Sequence, residues 1–228
     1  TFKRKLVLVT GVMMLTFAAT SSSVAQSTVS APSPAAAAAV STQFAAPVTV
    51  STLSSIPAPT IAARAWIVID VVTGQTIASF RPDQQVEPAS LTKIMTAYLA
   101  FNALEEKRLT LDQQVNVSET AWKTKGSRMF IEPNRPVTVQ ELLKGIIIQS
   151  GNDASVALAE AIAGSEQAFA QLMNEQAKRL GMNDTHYMNS TGLPNAQHTT
   201  TVQDLAILAQ RMIEDHPKEY GYYQMREF

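Results

Sequence analysis

Residues 138–154 constrain this chain more than any other stretch. Thr138, followed three positions later by Glu141, forms a capping box that opens a helix through Leu142, Leu143, Ile146, Ile147 and Ile148. A helix this apolar is expected to be largely buried, so other elements must pack around it. It runs directly into Ser150-Gly151-Asn152-Asp153-Ala154. Gly151 is expected to break the helix, leaving Ser150 and Asn152 on a short turn anchored by buried structure on both sides. A rigidly held polar turn suits a functional site. A plain helix-to-helix connector with local Ser and Asn hydrogen bonds fits the same residues.

A second helix start carries the clearer chemistry. Pro88-Ala89 precedes Ser90, and apolar residues then recur at Leu91, Ile94, Met95, Tyr98 and Leu99 with near-helical spacing. Residues three apart share a helix face, so Ser90 and Lys93 can meet. A serine hydroxyl needs an adjacent base to become a nucleophile, and a lysine can be that base only where its surroundings keep it neutral. Unpaired backbone N–H groups at a helix start can also receive an oxyanion. Taken alone, the pair equally fits an ordinary helix-start serine with a solvated lysine one turn on.

The ends and composition bound the rest. Lys3, Arg4 and Lys5 precede an apolar stretch from Leu6 to Ala18 and a small-residue site at Ser23-Val24-Ala25. That pattern predicts an export signal over residues 1–25, cleaved after Ala25, with an uncleaved membrane anchor as the competing reading. Thr1 stands where a Met is expected. Residues 26–60 are mostly Ala, Ser, Thr, Pro and Val, and read as a flexible tether outside the fold. Residues 61–228 are then one domain. Lys+Arg 18 against Asp+Glu 19 argues against nucleic acid as a partner, and Cys 0 removes disulfides and thiol chemistry. His186, His198 and His216 lack the spacing of a zinc helix and read as surface or capping groups. No metal or organic cofactor is required.

Within the domain, Ala65–Val71 and Thr76–Phe80 around Thr73-Gly74 predict a β-hairpin. Thr110–Val117 and Asn183–Asn189 can be extended, and Ala121–Gly126 reads as irregular. Helices are expected over Ala154–Ala163, from Ser165 to Leu180 with Gly181 as the stop, and from Val202 to Ile213 capped by Thr201. Glu166 reads as a charge at a helix N-terminus.

Together, Ser90-Leu91-Thr92-Lys93 opening one helix and Ser150-Gly151-Asn152 following another resemble the penicillin-recognising serine transferases. Pro88–Thr96, Gly126-Ser127-Arg128-Met129-Phe130 and Asn189-Ser190-Thr191-Gly192-Leu193-Pro194 narrow the likeness to the low-molecular-mass D-alanyl-D-alanine carboxypeptidases, over about residues 60–228. The resemblance implies an α+β, β-lactamase/transpeptidase-like fold, a helical cluster packed on an antiparallel sheet. It makes Ser90 the acylated nucleophile and Lys93 its proton acceptor. Ser150 would relay a proton to the leaving D-alanine, and Asn152 would orient the peptide amide and the Lys93 amine. The implied substrate is a peptidoglycan stem peptide ending in D-Ala-D-Ala, with β-lactams as inhibitors. The implied location is the periplasm or another extracytoplasmic space, with peripheral membrane attachment through a later segment left open.

One departure stands out. The family's Lys-Thr-Gly strand must follow the Ser-x-Asn turn, and after Asn152 the only lysines are Lys178 and Lys218, neither in that context. The chain is therefore expected to be a C-terminally shortened piece with an incomplete sheet, its hairpin short of partners and an apolar face uncovered. Two alternatives accompany the carboxypeptidase reading. One is a serine β-lactamase, which in class A needs a deacylating glutamate; the other is a non-catalytic penicillin-fold module that binds peptidoglycan or proteins.

Overall fold

A computed structural model describes residues 59–227. The expected export signal and nearly all of the expected tether lie outside the described residues.

The domain is organised around one enclosed helix. Strands β1 (Trp66–Ile69) and β2 (Thr76–Phe80) form the expected antiparallel hairpin, with Trp66 opposite Phe80 and an irregularity after Val68. Its turn is tied by Asp70, whose Oδ1 accepts from the Thr73 N–H at 2.7 Å and the Thr73 hydroxyl at 2.9 Å. A 3-10 turn over Ala89–Leu91 then runs into α1 (Thr92–Glu105). This helix is buried on almost every face, from Thr92 and Lys93 through Met95, Tyr98, Phe101 and Ala103. Small residues at Ala97, Ala100 and Ala103 allow its neighbours to approach closely.

Those neighbours are α3 (Val139–Gln149), α4 (Asn152–Ala163), α5 (Glu166–Leu180) and α6 (Val202–Asp215). The capping box at α3 is complete. Thr138 Oγ1 accepts from the Glu141 N–H, and the Glu141 carboxylate accepts from the Thr138 N–H at 2.8 Å, an arrangement worth about 1 kcal/mol. Thr201 caps α6 as expected, and Ser165 caps α5, which therefore begins one residue later than the sequence predicts. A second two-stranded pair, β3 (Gln114–Val115) with β4 (Val137–Thr138), lies beside α3 and α4.

Several local expectations need correction. Ala121–Lys123 are helical, not irregular, within the short α2 (Glu119–Lys123). Ser118 caps it and a Lys123–Glu119 ion pair spans it, while Ala121 is buried against the core. Asn183–Asn189 contributes only a single bridge, His186 to Thr199, and the 110–117 stretch only two strand residues. Two of the three histidines are core residues: His198 is 2% and His216 3% exposed. Their ring nitrogens find side-chain partners, Thr92 and Asn102, that sequence spacing does not reveal.

The hairpin side stays open. Trp66, Ile67, Ile69 and Val71 face Leu205, Ala206 and Ala209 of α6 across an apolar groove of about 420 Å³. On the hairpin, Val68, Ile77 and Phe80 are exposed.

Candidate active site

Ser90 sits on the 3-10 turn, two residues before α1 begins, where side chains three apart nearly eclipse. The residue before it, Ala89, is held at φ 47. A left-handed alanine costs about 1–2 kcal/mol and persists only where its surroundings impose it. Gly192 packs against it: a Cβ on Gly192 would lie 1.8 Å from the Ala89 carbonyl oxygen, so only glycine lets the two backbones meet.

Lys93, one turn on, is 5% exposed. Its amine donates to the Thr191 carbonyl at 2.7 Å. Burial draws its pKa down to about 8, because removing water penalises the ammonium form. The solvated-lysine reading therefore fails, and about a tenth of the amine is neutral at pH 7.

Ser150 completes the group. It ends α3 in the left-handed conformation itself, φ 56, whereas Gly151 has an ordinary backbone. The expectation that Gly151 supplies the break is thus shifted by one residue. Space is tight at Gly151, where a Cβ would press on the Gly145 carbonyl at 3.2 Å and the Met129 nitrogen at 3.3 Å. The Ser150 hydroxyl oxygen is buried without a hydrogen-bond partner. Such a group costs about 1–3 kcal/mol unless something binds it.

Ser90, Lys93 and Ser150 line one cavity of about 290 Å³, walled by Leu91, Ile94, Ile146 and Ile147 and closed on one side by Tyr223. Tyr223 was not singled out by its sequence context. Its hydroxyl is also buried without a partner, and burial raises its pKa well above the usual phenol value.

Asn152 is engaged elsewhere. It is the first residue of α4, not part of a free turn, and its amide donates to the Lys125 carbonyl at 2.7 Å while its N–H donates to the Ser127 carbonyl at 2.7 Å. It thereby fixes the 125–127 segment beside the Ser150 turn. The next residue, Asp153, is fully buried and accepts from the N–H groups of Met129, Phe130 and Ile131 at 3.0, 2.8 and 3.2 Å. The two adjacent residues anchor the whole 125–131 loop, a role hidden from spacing arguments because its partners are backbone groups distant in sequence.

The loop Asn189–Gly192 fastens the Lys93 end. Asn189 Oδ1 accepts from the Thr191 N–H, the Thr191 hydroxyl and the Gly192 N–H at 3.2, 3.0 and 2.8 Å. Behind Lys93, His198 Nδ1 accepts the Met188 N–H at 3.2 Å, so the neutral ring carries its proton on Nε2 and donates to Thr92 Oγ1 at 2.9 Å. Burial lowers the His198 pKa to about 4. Among the described residues no group of three or more acidic or imidazole side chains could hold a metal ion.

A family profile described as D-alanyl-D-alanine carboxypeptidase, peptidase S11, matches residues 52–228. The chain belongs to this family. It is 41% identical over 189 residues to a protein named D-alanyl-D-alanine carboxypeptidase DacC from Escherichia coli, covering 80% of this chain and 47% of that one. The chain thus spans about half the length of the curated relatives it matches. Penicillin binding protein 5 from Haemophilus influenzae has a similar structure, with TM-score 0.74 and 35% identity over 76% of this chain and 51% of that one. Penicillin-binding protein D2 from Listeria monocytogenes, solved in an ampicillin-bound form, gives TM-score 0.65 and 28% identity over 72% of this chain and 66% of that one. The α+β transpeptidase-like fold expected from the motifs is the fold of these carboxypeptidase relatives.

Proposed function

We propose that this chain carries the acylating half of a serine-type D-Ala-D-Ala carboxypeptidase that acts on peptidoglycan stem peptides. The observation that carries the reading is the convergence of Ser90, the buried Lys93 amine and the unpartnered Ser150 hydroxyl on one cavity.

In this reading the neutral Lys93 amine takes the proton from the Ser90 hydroxyl as its oxygen attacks the carbonyl of the penultimate D-alanine. The oxyanion is received by the Ser90 N–H at the helix start. As the C–N bond breaks, the proton passes from Lys93 through Ser150 to the leaving amine, freeing D-alanine and leaving an ester on Ser90. Water then cleaves the ester and regenerates the hydroxyl. Asn152 supports this by fixing the loop beside Ser150 and, in the substrate complex, by facing the peptide amide. β-Lactams acylate the same serine, in keeping with the ampicillin-bound relative. Export to an extracytoplasmic space completes the proposal.

A class A β-lactamase mechanism finds no support in Glu166. Both hydrogen bonds of its Oε1 go to Ser190, which leaves that oxygen unsuited to activating a water.

The test is intact-protein mass after mixing with benzylpenicillin, using the protein expressed from its full reading frame. A persistent adduct that vanishes in Ser90→Ala, together with D-alanine release from a peptide ending in D-Ala-D-Ala, is expected. Absence of both would hand the reading to a non-catalytic binding module. Because the base must be neutral, the acylation rate is expected to fall as pH drops through the Lys93 pKa of about 8, tenfold per unit well below it. A flat profile from pH 6 to 9 would remove Lys93 from the role of base.

A further inference from the structure

Helix α5 reaches the reacting pair through a contact that none of the motifs contains. Glu166, the first residue of α5, accepts with one oxygen, Oε1, both the Ser190 N–H at 3.0 Å and the Ser190 hydroxyl at 2.7 Å. Ser190 is fully buried, and Thr191 beside it is 2% exposed. The two peptide carbonyls of these residues are the points at which the loop grips α1. The Ser190 carbonyl accepts from the Thr96 hydroxyl at 2.7 Å, and the Thr191 carbonyl accepts from the Lys93 amine at 2.7 Å. Gly192 then abuts Ala89, the residue that sets the backbone before Ser90.

A neutral amine has two N–H bonds and one lone pair. Committing one N–H to a fixed carbonyl restricts where the lone pair can point, and two hydrogen bonds from Ser190 to a single Glu166 oxygen hold that carbonyl in place. We propose that Glu166 is a positioning residue for the Ser90–Lys93 pair, acting through the Ser190 N–H and hydroxyl to hold the Thr191 carbonyl against the Lys93 amine. Glu166 does not line the cavity and takes no proton in the reaction. The inference rests on the reading of Ser90 and Lys93 as the acylating pair.

Glu166→Ala and Glu166→Gln in the full-reading-frame protein test it. Both existing bonds end on a single oxygen, so a glutamine amide oxygen can accept them in place of the carboxylate. The alanine variant is expected to slow the acylation step by benzylpenicillin about tenfold while the binding constant of the preceding complex changes by less than about twofold. The glutamine variant is expected to recover to within about threefold of the parent. Should Glu166→Ala fail to fold, Ser190→Ala removes the hydroxyl half of the contact and is expected to slow the same step about threefold. An unaltered acylation step in the alanine variants overturns the proposal. So does a glutamine variant as slow as alanine, which would make the charge and not the position the active quantity.

A readout independent of activity separates this from the functional reading. The Lys93 titration, followed by NMR of 13C-labelled lysine, is expected to move by about half a unit or more in Glu166→Ala and to return in Glu166→Gln. If the parent is never acylated but this pattern holds, the functional reading falls and the positioning contact stands. If the parent is acylated and Lys93 titrates identically in all three proteins, only the positioning contact falls.

Discussion

The junction of α1, α5 and the Asn189–Gly192 loop contrasts with the β1–β2 hairpin. At the junction, Thr92, Lys93, Thr96, Ser190 and Thr191 are all buried, and each has a hydrogen-bond partner in another segment or a neighbouring residue. On the hairpin, Val68 is 42%, Ile77 57% and Phe80 43% exposed, and an apolar groove separates β1 from α6. The polar junction is closed and the apolar sheet is open. Burying polar groups is tolerable only when every partner is supplied. An apolar surface can remain uncovered at a cost spread thinly over its area. Among the described residues the hydrogen bonds that hold Lys93 and its neighbours come from the helical side, while the sheet side meets Leu91 and Ile94 only across the apolar groove.

The sharpest way to break this contrast is Gly192→Ala. Its new methyl group would meet the Ala89 carbonyl at 1.8 Å, on a backbone at φ +83. A loss of roughly 3 to 5 kcal/mol in urea unfolding is expected, from strain plus overpacking. A loss below about 1 kcal/mol would show that the junction yields easily.

Acidification probes the same junction more gently. The folded-state pKa of His198, about 4, lies below its ordinary 6.5, so between these values the unfolded chain binds more protons than the folded one. Stability from this group is complete above about pH 6.5 and falls as pH approaches 4, by roughly 3 kcal/mol in all. Urea midpoints measured from pH 7 to 4 check this, with His198→Gln expected to flatten that part of the profile. An equal slope in the variant would assign the loss to other groups.

The smallest effect is expected on the open side. Ile77→Thr replaces a half-exposed side chain by another β-branched one and should change stability by less than about 0.5 kcal/mol. A cost above about 1 kcal/mol would mean that this face is covered in solution, and the comparison would have to be redrawn.

Local chemistry explains which parts were legible before the fold was known. Caps at Thr138 and Thr201 act on N–H groups within three residues, so they can be read directly. The pairing of Ser90 with Lys93 is also local, a matter of helical pitch. The left-handed backbone falls on Ser150, not Gly151, because the crowding of Gly145 and Met129 around 151 is a tertiary contact that a glycine rule does not contain. His198 and His216 looked like surface groups because nothing near them in sequence discloses Thr92 or Asn102 as partners. The contact of Glu166 beyond its place as a charge at a helix N-terminus was equally hidden, its partner Ser190 lying beyond the whole of α5.

By itself the sequence determined where the capped helices α3 and α6 begin, which faces are apolar, and that a serine, a lysine and a Ser-x-Asn turn are available at helix ends. These follow from interactions spanning a few residues, where the chain has little freedom to decide otherwise. Tertiary structure decided that Lys93 is buried against the Thr191 carbonyl, that Ser150 and Tyr223 face Ser90 across one cavity, and that Asn152 and Asp153 anchor a loop. Desolvation and hydrogen bonding between distant segments depend on which surfaces are brought together, so they exist only once the helices have packed.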